Sequence, residues 1–112
     1  PFFDYYADEF HRFFERKYEF LFDLNLELCQ WMCEQIDLQP DLRLTSDYVA
    51  CPENQDDFRE KIHPKRSYEV EDPGFVPKTY YQVFDQKLGF ISNLSIADLL
   101  FNMGPESLII LK

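Results

Sequence analysis

Lys61, His63, Lys65 and Arg66 form the one basic cluster in a 112-residue chain of formal net charge -10. Arg offers a planar fork and Lys a mobile point charge, so Lys65 and Arg66, with His63 beside them, suit a phosphate or a carboxylate. The same cluster suits a surface patch paired with acids of the first half, and such exposed pairs contribute little. Further on, Tyr81, Gln82, Asn93 and Asn102 set polar groups among apolar ones near a turn, the mixture that lines small-molecule pockets. Their amides could hold sugar hydroxyls. Equally, Gln and Asn tie down irregular backbone, and Tyr81 packs as core.

Asp98 and His63 are the acid/base types of the second half, and Ser95 is its motif nucleophile. The pattern Ser95-Ile96-Ala97-Asp98 is also a helix capping box, which accounts for both Ser95 and Asp98 without any chemistry. Cys29 and Cys33 stand one helical turn apart, with no His or further Cys nearby to complete a metal site. No zinc spacing, Gly-rich phosphate loop or nucleophile elbow is present. The expectation is therefore no metal and no cofactor, and catalytic residues stay unassigned.

These residues need a scaffold, and composition bounds it. A chain of 13.5 kDa with 46% hydrophobic residues supports one domain or part of one, with a modest core. Twelve Phe and seven Tyr mean that large rings must fill that core. Residues 1–62 hold fifteen acids and six bases, whereas residues 63–112 hold six and five. This acidity argues against nucleic acid and anionic membranes as partners. Three cysteines without framework spacing suit a reducing compartment, and no apolar run reaches the length of a membrane span. The expectation is a cytoplasmic protein. The chain opens on Pro1 inside an aromatic stretch, as a trimmed chain would.

Apolar periodicity predicts a helix over residues 2–14, with Asp4 as its cap, and a longer one from Tyr18 to Ile36. Pro40 marks the end of that region. Asp41 to Tyr48 alternates as an edge strand does, and Glu53 to Ile62 reads as a short helix with Phe58 and Ile62 on one face. A long Pro-containing loop follows from His63 to Pro77. Tyr80 to Phe84 reads as a short helix or an irregular turn, and Gly89 marks a reversal. A helix capped by Ser95 runs to about Asn102, and Gly104-Pro105 stops it before a last helix to about Leu111. The predicted fold is mainly α, with four to five short-to-medium helices and one short strand, either alone or as part of a larger α/β domain.

Several words in this chain resemble the WbqC-like family, small bacterial proteins met near surface-polysaccharide and O-antigen genes. They are Tyr81-Gln82-Val83-Phe84, Gly89-Phe90, Asn93-Leu94-Ser95-Ile96, Asp98-Leu99-Leu100-Phe101-Asn102 and Gly104-Pro105-Glu106. Pro64-Lys65-Arg66, Phe22-Asp23-Leu24-Asn25 and the opening through Tyr5-Tyr6 are similar to it as well. The resemblance places the chain as the C-terminal half of the family's usual length, without a strand-rich N-terminal half. It implies a transferase-like protein of polysaccharide biosynthesis that moves an amino-acyl group, such as glycyl, to a sugar, with a sugar nucleotide or an amino acid as substrate. It carries no catalytic residues across. The alternative is a non-catalytic helical module for protein–protein interaction, as a homo-oligomer or against a missing half. An exposed apolar strip along Phe2 to Phe14 or Leu42 to Leu44 favours a missing half or a partner.

Overall fold

The computed structural model describes residues 1–63, 65 and 74–112. It divides into a helical unit, Pro1–Pro40 with Lys78–Lys112, and a second unit, Asp41–Pro77. In the helical unit, α1 spans Phe3–Glu15, α2 Leu21–Gln35, α3 Asp85–Leu88, α4 Ile96–Met103 and α5 Ser107–Leu111, with a 3-10 turn Gly104–Glu106 before α5. None of the described helices is long and apolar enough to cross a membrane.

Helix α1 forms because its rings recur at helical spacing. Tyr6 is buried, and Phe10 and Phe13 pack against the same cluster. The predicted Asp4 cap is not made. Phe2 is the N-cap residue without a side-chain bond, and its N–H instead donates to the Phe101 carbonyl at 2.9 Å. Asp4 lies in the first turn, where the helix dipole favours an acid. Helix α2 starts at Leu21, later than Tyr18, because Arg16 takes an extended conformation and Tyr18 turns to Glu27. It ends before Pro40 is reached. Asp37 adopts φ 56°, and Leu38 N–H donates to the Cys33 carbonyl at 2.8 Å, which closes the helix in a Schellman-type cap.

The core joins Tyr6, Trp31, Met32, Ile36 and Leu100, with Phe101 and Ile96 packed against it. Phe101 meets Phe3 and Phe10 edge-on, both at 5.2 Å between ring centres. Leu100 is completely buried, and such burial stabilises by roughly 1.5–3 kcal/mol. At the end of α4, Gly104 has φ 54°, and a Cβ there would lie 2.7 Å from the Phe2 ring. Both the conformation and the close approach require glycine. Pro105 is the second residue of the 3-10 turn, where its fixed φ is tolerated. Buried Ser107 donates to the Gly104 carbonyl at 2.7 Å.

The second unit departs from the sequence expectation. Asp41 to Tyr48 is coil with bends at Ser46 and Asp47, and no strand occurs among the described residues. Leu42 and Leu44 are exposed, so among the described residues the alternation has neither a partner strand nor a core to face. The helix expected over Glu53 to Ile62 is reduced to turns. Only Lys61 and Ile62 N–H groups return to the Phe58 carbonyl. Phe58 and Ile62 are exposed, and without a face to bury, helix nucleation goes unrewarded. What orders this stretch is the Arg59 guanidinium, which clasps Asp57 at 2.6 and 2.9 Å and lies 5.3 Å from the Tyr48 ring centre. Of the predicted loop His63 to Pro77, Pro64 and residues 66–73 lie outside the described residues.

Candidate functional site

The turn from Tyr80 to Asn93 is held against α4 by amide side chains. Gln82 is buried and grips the backbone of Ile91 at both ends, accepting from its N–H at 2.9 Å and donating to its carbonyl at 2.7 Å. Asn102, also buried, accepts from Val83 N–H at 3.0 Å and donates to the Asp98 carbonyl at 2.8 Å. Asp98 accepts the Tyr80 hydroxyl at 2.7 Å. Burial and then that bond push the Tyr80 hydroxyl's pKa up. Ser95 caps α4, accepting from Ala97 N–H at 3.2 Å. The reciprocal half of the expected box is absent, because the Asp98 carboxylate is turned to Tyr80 instead.

Of the predicted binding residues, the structure thus brings Gln82 and Asn102 together, but as fasteners of backbone rather than as free donors. They line a recess of about 80 Å³ with Val83, Leu88, Ile91 and Asp98. Tyr81 is exposed, not core, and Asn93 is an exposed turn residue at φ 57°. His63 and Lys65 belong to the second unit, where Lys65 N–H donates to His63 Nδ1 at 3.1 Å. Arg66 lies outside the described residues.

A larger cleft, about 260 Å³, opens between α1 and α2 and is lined by Glu9, Arg12, Phe13, Arg16, Tyr18, Glu27 and Trp31. Trp31 Nε1 donates to Glu9 Oε2 at 2.9 Å. Arg16 binds both oxygens of Glu27, at 3.1 and 3.3 Å, and the Tyr18 hydroxyl donates to Oε2 at 2.8 Å. Desolvation, followed by the Glu27 contact, raises the Tyr18 pKa. Sequence reading missed this cleft. Glu9 and Arg12 on α1 and Glu27 on α2 are ordinary charged residues of amphipathic helices, with nothing in their spacing to bring them together. The one available signal was the chain's single Trp, placed on the apolar stripe of α2.

Among the described residues no group of three or more His, Cys, Asp or Glu could hold a metal ion. Cys29 is exposed and Cys33 half-buried. Burial and the neighbouring Cys29 push the Cys33 thiol up, away from the reactive thiolate.

Among known families, the model of the WbqC-like protein family matches residues 1–70. The chain belongs to the WbqC-like protein family. The match corrects where the likeness lies: it covers the N-terminal part of the chain, α1, α2 and most of the second unit, not the words from Tyr81 to Glu106. The whole α1–α2 cleft falls inside the matched stretch, as do His63, Lys65 and Arg66. Tyr81, Gln82, Asn93 and Asn102 fall outside it. No curated protein and no solved structure matches the chain.

Proposed function

We propose that this WbqC-like chain serves surface-polysaccharide (O-antigen) biosynthesis in the cytoplasm, as part of a protein that transfers an amino-acyl group, glycyl in the first instance, to a sugar. The observation that carries the reading is the family match over residues 1–70, since the family is associated with polysaccharide biosynthesis. The α1–α2 cleft supports it, because a recess walled by rings and lined by two Arg and two Glu suits a small polar substrate. Lys65 and Arg66 would meet the phosphates of a sugar nucleotide. Deleting the gene in its own bacterium tests this. Mass spectrometry of the surface polysaccharide is expected to show an amino-acyl substituent lost on deletion and restored by the intact gene. An unchanged polysaccharide overturns the reading.

One observation favours a second reading, a non-catalytic helical interaction module. Phe20, Leu21 and Phe22 at the start of α2 are 61%, 70% and 56% exposed, and Phe3 and Phe14 on α1 are more than half exposed. Consecutive large apolar groups in water mark a surface for a partner or a second copy. Light scattering over a concentration series tests self-association. Leu21→Glu is expected to lower the associated fraction, and a monomer at all concentrations removes the homo-oligomer.

A further inference from the structure

The recess between α3 and α4 is ringed by apolar groups left in water. Val83, Phe84, Leu88, Ile91 and Leu94 all line it and are 44% to 68% exposed. Single apolar residues are ordinary on a surface, but five around one recess mark a contact. Its polar lining is already engaged. Gln82 holds Ile91 at both ends, Asn102 holds the Val83 N–H and the Asp98 carbonyl, and the Asp98 carboxylate accepts from Tyr80. The space, about 80 Å³, also falls short of the ~150 Å³ that encloses a benzene ring. It takes the tip of one aliphatic side chain rather than a small molecule.

The charge around this recess is unlike that of the rest of the chain. Residues 1–40 carry nine acids and three bases and residues 41–77 nine and five, whereas residues 78–112, which hold the whole recess, carry three and three. Two copies of a chain of net charge -10 repel each other over most of their surface, and this segment is where they meet without that cost. Asp85 and Lys87, on α3 beside Leu88, make no ion pair with any described residue. Two positions apart on a helix, they do not face each other either. One free charge of each sign next to an apolar centre is self-complementary under a two-fold axis, where Asp85 of one copy meets Lys87 of the other. We propose that the α3–α4 recess is the contact between two copies of this chain, an isologous pair in which Leu88 of each copy enters the recess of the other. Leu88 is the most exposed of the five and, unlike the Phe84 ring, small enough to enter. The inference rests on the self-association of the second reading above and places its main contact at this recess rather than on α2.

Sedimentation velocity of the full chain over a concentration series, to about 1 mM, reads the dimer constant. A monomer–dimer equilibrium is expected. Leu88→Glu should weaken it by at least about tenfold, and Leu21→Glu, which marks the α2 surface for comparison, should have the smaller effect. Asp85→Lys sets like charges against each other and should weaken the dimer by about two- to fivefold. Adding Lys87→Asp to that variant should restore it, which a change acting only through the fold would not do. Circular dichroism checks the fold of every variant. A monomer at all concentrations gives the recess to a different protein and overturns the proposal. So does a dimer that Leu88→Glu leaves intact, or a double variant that associates no better than Asp85→Lys alone. If Leu21→Glu dissociates a dimer that Leu88→Glu spares, this inference falls and the second reading stands. If Leu88→Glu alone is disruptive, the α2 surface falls and the recess stands.

Discussion

In the helical unit, completely buried Leu100 of α4 meets a cluster drawn from α1 and α2 at the other end of the chain. In Asp41–Pro77, side-chain bonds among the described residues run between positions one to nine apart, such as Asp41 to Arg43, Asp57 to Arg59 and Arg59 to the Ala50 carbonyl. The first arrangement removes apolar surface from water, and its helices form because burial rewards them. The second holds its shape with exposed charge pairs, which contribute little and are screened by salt. The difference explains why regular structure is confined, among the described residues, to one unit, although both contain apolar residues at helical or strand spacing.

The strongest way to break this contrast is Leu100→Ala. It should cost the helical unit about 2–5 kcal/mol, seen as lost helical dichroism in denaturation, while the Asp57 titration stays as it is. Gln82→Ala comes next, at about 1–3 kcal/mol, because it leaves Ile91 N–H and C=O without their partner. Hydrogen exchange at Ile91 should accelerate more than at Leu100.

Ser95→Ala is expected to cost about 1 kcal/mol, a cap's usual worth, measured as a lower Tm. A loss well above that would mean that Ser95 does more than cap. The smallest effect belongs to the second unit. Bonds to Arg59 hold the Asp57 carboxyl down at about 2. A depressed folded value means that the pair's contribution is present above the unfolded pKa, about 3.9, and is lost as pH falls through about 2. Arg59→Gln should return Asp57 to the ordinary carboxylate range in an NMR titration, with α1 and α2 unchanged.

The helices were legible where one local rule sufficed. Ring spacing marked α1, a hydroxyl before an apolar run marked α4, and Gly104-Pro105 marked its end. Local rules failed where the deciding partner lay elsewhere. Asp4 lost its cap because the start of α1 docks on Phe101, and Asp98 left its box for the Tyr80 hydroxyl. Gln82 and Asn102 were found as unusual residues, but their bonds to Ile91 and Val83 spend them on backbone. In the cleft, Glu9 and Trp31 are one charged and one aromatic residue on separate helices, with nothing in their spacing to pair them.

Periodicity, caps and breakers act between residues a few positions apart, so the sequence by itself determined which stretches of the helical unit become helices and where several of them stop. It also determined the chain's acidity and the aromatic character of its core. Only the tertiary structure decided which polar groups are consumed and which stay available, because that depends on what a distant segment brings within about 3 Å of them. The same cause left Leu42, Leu44, Phe58 and Ile62 in water: their pattern was right for burial, but among the described residues no apolar surface covers them.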